Sequence, residues 1–222
     1  IVSIFVNPTQ FNQKKDFKNY PRNINKDLKI LRKLKVDYLL MPNEKDIYSS
    51  NKQKKIKINK KDLIMCAKFR SGHFEGVLAV INQFLIKIKP SVMFLGKKDF
   101  QQIYLIKSFI SGKFKTKIVQ CKTIRNKNGL PYSSRNVLLN KKNFQTAINV
   151  SQIIKKFYST LKLNFKKTKD IYLIKNKIIN KNVKLEYLEI RNKLNLSKKI
   201  NKKNFKIFIA YYINGIRLID NY

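Results

Sequence analysis

Only two cysteines occur in the 222 residues, Cys66 and Cys121, far apart and with no CxxC partner. That leaves no basis for a disulfide framework or a cysteine-ligated zinc, and it points to reduced thiols in a cytoplasmic protein. No apolar stretch approaches the ~20 residues that span a bilayer. The longest, Val77 to Ile86, is interrupted by Asn82 and Gln83, so no membrane association is expected. The first residues read as a buried strand and lack the basic lead and cleavage site of a signal peptide. There is no Walker-type loop, no GxGxxG and no internal repeat, and histidine occurs once, at His73.

Acidic residues are scarce as well, 12 against 50 Lys and Arg, for a net charge of +38. Such a charge invites a nucleic-acid reading. The lysines, however, are spread along the whole length and accompanied everywhere by Asn and Ile, the residues that AT-rich codons encode. A nucleic-acid module instead gathers charge into a patch interleaved with aromatics or arginines. No specific nucleic-acid partner is therefore expected. Hydrophobic residues make up 43%, which suits a globular chain with a sizeable core.

Along the chain, Val2–Val6 is an apolar run typical of an interior parallel strand, ended by Asn7-Pro8. Ile24, Leu28, Leu31 and Leu34 recur at helical spacing with Asn25 as a candidate N-cap. Val36 to Met41 reads as a second strand, and residues 43–61 as polar surface connections. A helix is expected from Phe74 to Ile88, a strand over Ser91–Leu95, a helix capped by Asp99 and running to Ile110, and a strand over Lys117–Thr123. This alternation predicts a parallel α/β sheet. After Asn136 the pattern changes to two helices, about 141–163 and 168–180, and two strands, 184–190 and 205–213. The expected organisation is thus an α/β domain over residues 1–137 and a small α+β domain over 138–222.

In open α/β sheets ligands bind beyond the carboxyl ends of the strands. Polar clusters lie there: Asn7-Pro8-Thr9-Gln10-Phe11, Gly96-Lys97-Lys98-Asp99-Phe100-Gln101-Gln102 and Ser133-Ser134-Arg135-Asn136. A fourth, Arg70-Ser71-Gly72-His73-Phe74, precedes a helix. Taken singly, each has a structural explanation as a turn, a cap or a satisfied histidine. Together they place a glycine turn, a lysine, an acid, an arginine and paired hydroxyls at one sheet edge. Lys98 and Arg135 suit phosphate charge, helix N-terminal amides add donors, and Gln10 and Gln102 suit hydroxyls and carboxylates. The set fits phosphate-activating chemistry on a small polar acid.

VSIFVNPTQF at Val2–Phe11 resembles the signature strand and loop of pantothenate synthetases. Tyr20-Pro21-Arg22, SGHFEGV at Ser71–Val77, GKKDFQQ at Gly96–Gln102, GLPYSSRN at Gly129–Asn136 and RLIDN at Arg217–Asn221 match the same family in collinear order. The resemblance implies a Rossmann-like nucleotidylyltransferase domain with a small C-terminal domain, usually as a homodimer. It implies a ligase that adenylates pantoate with ATP and Mg2+ and then transfers the pantoyl group to β-alanine. Under it, Gln10 and Gln102 hold pantoate, and Arg70 and His73 belong to a flap-like segment near the substrates. Gly96, Lys97, Lys98 and Asp99 contact ATP. Tyr132, Ser133, Ser134 and Arg135 grip the triphosphate, and Ile124 lies near the adenine. Lys98, Ser133, Ser134 and Arg135 carry catalysis, while Asp27 matches an acid associated with magnesium, although a neighbouring acidic position is Lys26 here.

The sequence departs from the family at three points. Lys97 occupies a usually acidic position, and Tyr132 a commonly aliphatic one. Family members also carry an HxGH motif before the VSIFVNP strand, and this sequence begins at Ile1, after that point. The expectation is an incomplete record whose residues alone bind ATP poorly and fold marginally. An inactive or truncated homologue and a basic nucleic-acid-binding protein are the competing readings.

Overall fold

The computed structural model describes residues 1–11, 14–48 and 56–222, with the side chains of residues 10, 14 and 15 outside that description. The chain forms two compact units, one of residues 1–93 and 105–117, the other of residues 94–104 and 118–222.

In the first unit, β1 (Val2–Ser3) pairs in parallel with β2 (Leu39–Leu40), Val2 opposite Leu39. Both strands are shorter than their apolar runs. Pairing reaches only Ile4, whose amide donates to the Leu40 carbonyl, and Asn7-Pro8 then leads into a 3-10 turn, Pro8–Gln10. The short helix α1 (Lys14–Lys18) follows. Next comes α2 (Ile24–Lys33), whose N-cap is Asn23, not the expected Asn25; the Asn23 side chain accepts from the Lys26 amide. Asn25 lies two residues too deep, inside the helix.

The polar segment after Pro42 holds α3 (Glu44–Tyr48), which buries Ile47. Residue 65 adopts a positive φ of 46° ahead of α4 (Cys66–Phe69). The long α5 (His73–Ile88) buries Phe74, Val77, Leu78, Val80 and Leu85 along one face, the spacing of an amphipathic helix.

Strand β3 (Val92–Gly96) leads through a 3-10 turn, Lys97–Asp99, into α6 (Phe100–Ile110). Its partner in a two-stranded sheet is β4 (Lys117–Cys121). Asp99 is therefore the end of a 3-10 turn and not an isolated cap.

The second unit is organised around α7 (Lys141–Leu163), capped by Asn140, whose side chain accepts from the Asn143 amide. Ala147, Val150, Ile154, Phe157 and Leu161 are buried along it. After a 3-10 segment, Phe165–Asp170, α8 (Ile171–Ile179) leads to a three-stranded antiparallel sheet. Its strands are β5 (Lys184–Asn192), β6 (Phe205–Ile213) and β7 (Ile216–Asn221), in that order.

The strand β7 has no counterpart among the expected elements. Its hairpin turn is Asn214-Gly215, both at positive φ, a pair that accommodates the left-handed backbone of a tight β-turn. Central β6 is buried on both faces. Ile207, Ile209, Tyr211 and Ile213 join the core with α7. On the opposite parity, Phe208 stacks at a tilt on Phe100 of α6, 5.7 Å between centroids.

Candidate active site

In the first unit, the loop after β1 meets the N-terminus of α5. Asn7 is fully buried and uses its whole amide. Its Nδ2 donates to the Gly76 carbonyl at 3.2 Å, while its Oδ1 accepts from the Thr9 amide, the Thr9 hydroxyl and the Tyr48 hydroxyl. Gly76 permits this approach, since a Cβ there would lie 2.5 Å from Thr9 Oγ1.

Phe11 packs edge-on to Phe17 and Tyr20, and Arg22 covers the Phe17 ring at 4.5 Å. The NPTQF, YPR and SGHFEGV motifs are thus one packed assembly that positions the 3-10 turn ending at Gln10. The Gln10 side chain itself lies outside the described residues. Arg70 Nη1 lies 2.9 Å from His73 Nε2. Arginine has no acceptor, so Nε2 accepts and the ring proton resides on Nδ1. His73 is buried against Phe74 at the start of α5.

The remaining predicted residues, Asp27 apart, lie in the second unit. Gly96 ends β3, and Lys97–Asp99 form the turn into α6, with Lys98 Nζ 3.5 Å from Asp99. Gln102 follows on the first turn of α6, partly exposed. In the other loop, Ile124 and Tyr132 sit across a narrow hairpin, joined by a 3.1 Å bond from the Tyr132 amide to the Ile124 carbonyl. Both side chains are about two-thirds exposed, 68% and 64%. Two exposed apolar groups side by side form a surface on which a planar base can stack. Ser133 then caps a 3-10 turn, Ser134–Leu138, by accepting from the Arg135 amide.

Both loops are tied to the C-terminal strand, whose RLIDN motif matches the family but has no role assigned by its sequence. Asn221 Nδ2 donates to the Lys97 and Lys98 carbonyls at 3.0 and 2.7 Å. Arg125 forms a two-pronged pair with Asp220 at 2.7 and 2.8 Å, and also donates to the carbonyls of Gly129 and Asn221. The Tyr222 ring lies under the Arg125 guanidinium at 4.1 Å, and its hydroxyl bonds Ser151.

Burial pushes the Asp220 carboxyl up, against the opposing pull of Arg125. Burial lowers Arg125, but Asp220 more than offsets that and raises it. Lys206, beneath this cluster and over the Phe100 ring at 5.1 Å, is pulled down to about 8 by burial, with Lys97, Arg125 and Lys193 adding repulsion.

Asp27 is a single carboxylate in the first turn of α2. Among the described residues no three His, Cys, Asp or Glu side chains gather as a metal site. One carboxylate does not hold a divalent ion without phosphate or water ligands. Among the described residues no helix is long and apolar enough to cross a membrane.

The model of the pantoate-beta-alanine ligase family matches residues 1–222. The chain belongs to this family. Pantothenate synthetase from Francisella tularensis subsp. mediasiatica is 39% identical over 227 residues, covering 100% of this chain and 78% of that protein. The Francisella philomiragia enzyme is 39% identical over 224 residues with the same coverage. A crystal structure of the Francisella tularensis pantoate-beta-alanine ligase, complexed with beta-gamma ATP and β-alanine, superposes with a TM-score of 0.84. It is 37% identical and is matched over 100% of this chain and 78% of its own. The Thermus thermophilus pantothenate synthetase shares the fold, with a TM-score of 0.87 at 24% identity, over 100% of this chain and 82% of its own. The expected class, a Rossmann-like nucleotidylyltransferase fold followed by an α+β part, is the one this pantoate-beta-alanine ligase family member adopts.

Proposed function

We propose that this chain ligates pantoate to β-alanine at the expense of ATP. The observation that carries this reading is the match, along the whole chain, to a ligase crystallised with ATP and β-alanine. Residues 1–137 serve as the ATP- and pantoate-binding domain and 138–222 as the small C-terminal domain. Gln10, Gln102, Arg70 and His73 bind pantoate and β-alanine. Gly96 to Asp99, Ile124 and Tyr132 to Arg135 bind ATP, with adenine on the Ile124–Tyr132 surface.

In the first step a pantoate carboxylate oxygen attacks the α-phosphorus, the bond to the bridging oxygen breaks, and pyrophosphate leaves. The β-alanine amine then attacks the acyl carbon of pantoyl adenylate, AMP departs, and the amine loses its proton. No protein nucleophile is required. The chain contributes placement and charge. Alignment of two reactants supplies on the order of 7–11 kcal/mol in favourable cases. Lys98, Ser133, Ser134 and Arg135 meet the charge that grows on the phosphate oxygens. Asp27 is the carboxylate that would serve the water shell of a Mg2+ ion, which would supply additional counter-charge to the triphosphate.

The setting is cytoplasmic and the assembly a homodimer. Phe94 on β3 and Val119 on β4 are 67% and 42% exposed, an apolar strip that a second copy of the chain would cover. Light scattering of a Phe94→Asp variant checks this: a monomer supports the assignment and an unchanged dimer removes it.

The test of the reaction is AMP release that needs both pantoate and β-alanine. Lys98→Ala should lower turnover at least tenfold, since a lost charge-stabilising donor costs about 10²-fold in comparable sites, with little change in pantoate binding. Unchanged pantoyl-adenylate formation in that variant removes Lys98 from the catalytic set.

A further inference from the structure

We infer that Asn221 is a positioning residue for nucleotide: its side-chain amide holds the 96–99 turn in its ATP-binding shape from the end of β7. The inference rests on the proposed role of that turn. The geometry is specific. One side-chain nitrogen donates to two successive carbonyls, those of Lys97 and Lys98, at 3.0 and 2.7 Å. Asn221 is 5% exposed, so water cannot replace the amide without opening the site.

Two successive carbonyls turned toward one donor fix the peptide planes of the turn, and with them the direction in which the Lys97 and Lys98 side chains leave the backbone. The same strand end anchors the second loop. Asp220 holds Arg125, and Arg125 in turn holds the Gly129 carbonyl at 2.9 Å, between Ile124 and Tyr132 in sequence. Arg125 also donates to the Asn221 carbonyl at 3.1 Å. Asn221 thus faces one predicted ATP loop with its side chain and the other with its backbone. A turn that must present lysine to phosphate is sensitive to such support, because a displacement of about 1 Å in a site costs up to about 10²-fold in rate.

The experiment compares Asn221→Ala, Asn221→Gln and Leu218→Ala in the full-length protein, by ATP titration, by steady-state pyrophosphate release and by thermal melting. Leu218 lies on the same strand, in the core and away from the turn, so its truncation destabilises without touching the carbonyls. Asn221→Ala should raise both the Kd and the KM for ATP by about tenfold, with the KM for β-alanine within about twofold of wild type. Asn221→Gln, which keeps the donor on a longer stem, should recover part of the loss, and it carries the test if the alanine variant fails to fold. Leu218→Ala should lower the melting temperature with ATP affinity retained. Equal loss of ATP affinity in the Leu218 and Asn221 variants, or unchanged ATP affinity in Asn221→Ala, overturns the inference. Wild-type protein that binds ATP but releases no pyrophosphate with pantoate refutes the proposed reaction, and the titration alone then judges Asn221.

Discussion

Lys206 offers the sharpest electrostatic prediction. Its ammonium lies over the Phe100 ring and is largely withdrawn from water, among Lys97, Arg125 and Lys193, with the attraction of Asp220 opposing them. Burial, and then those cations, lower its pKa from the ordinary 10.5 to about 8. Each pKa unit corresponds to about 1.4 kcal/mol, so keeping Lys206 charged in the fold costs about 3 kcal/mol.

Below pH 8 both folded and unfolded chains carry the proton and the full penalty applies. Between pH 8 and 10.5 the fold has released a proton that the unfolded chain still binds, so stability rises with pH. Above 10.5 the penalty is gone. Lys206→Met keeps the aliphatic stem and removes the charge. Allowing about 0.5–1 kcal/mol for the lost cation–π contact, the variant should be about 2 kcal/mol more stable than wild type at pH 7. The difference should shrink toward zero by pH 10.5. Urea denaturation at several pH values measures it, and the difference between the two proteins cancels the titration of the other lysines. A variant less stable at pH 7, or a gain that does not change with pH, refutes the reasoning.

Three further outcomes are expected. Gly76→Ala places a Cβ 2.5 Å from Thr9 Oγ1 and 3.2 Å from the Thr9 carbonyl oxygen. Overpacking of about 1–3 kcal/mol should exceed the helix-propensity gain of about 1 kcal/mol, and an unchanged melting temperature would contradict that. Arg125→Ala strands buried Asp220 and should cost about 3–5 kcal/mol. Arg125→Met combined with Asp220→Leu should restore most of that loss in chemical denaturation, because it removes both charges. Tyr222→Phe deletes the hydroxyl that Ser151 and Arg125 share and should cost about 1 kcal/mol, read as a lower midpoint in urea.

The parts legible in the sequence are those that depend on spacing within one element. The apolar positions of α5 and α7 recur at helical intervals, and both helices lie where that spacing puts them. Other features depend on partners distant in sequence. Gly76 looks like any helical glycine until Thr9 is brought against it. The segment after Pro42 reads as polar surface, yet Ile47 within it is 1% exposed. Asn221 lies in a matched motif, but its task requires the 96–99 turn to arrive from more than a hundred residues away. One miss did have a local signal. Asn214-Gly215 between two β-branched and aromatic runs marks a tight hairpin, and it would have identified β7.

A second signal lies in composition. Of the 50 basic residues only seven are arginine: Arg22, Arg32, Arg70, Arg125, Arg135, Arg191 and Arg217. Where codon bias favours lysine this strongly, arginine persists at positions where a point charge does not substitute for a planar fork of donors. The structure bears this out at most of them. Arg125 pairs with Asp220, Arg217 with Glu186 and Arg191 with Glu189, each through more than one nitrogen. Arg22 lies over Phe17, and Arg70 faces His73. Arg135, the one proposed for the triphosphate, belongs to the same short list, and phosphate is the other ligand that a guanidinium fork fits in two-pronged fashion. In this chain scarce arginine therefore points to the site and its supports more sharply than abundant lysine does, and Arg135→Lys is expected to fail where most Lys→Arg exchanges on the surface succeed.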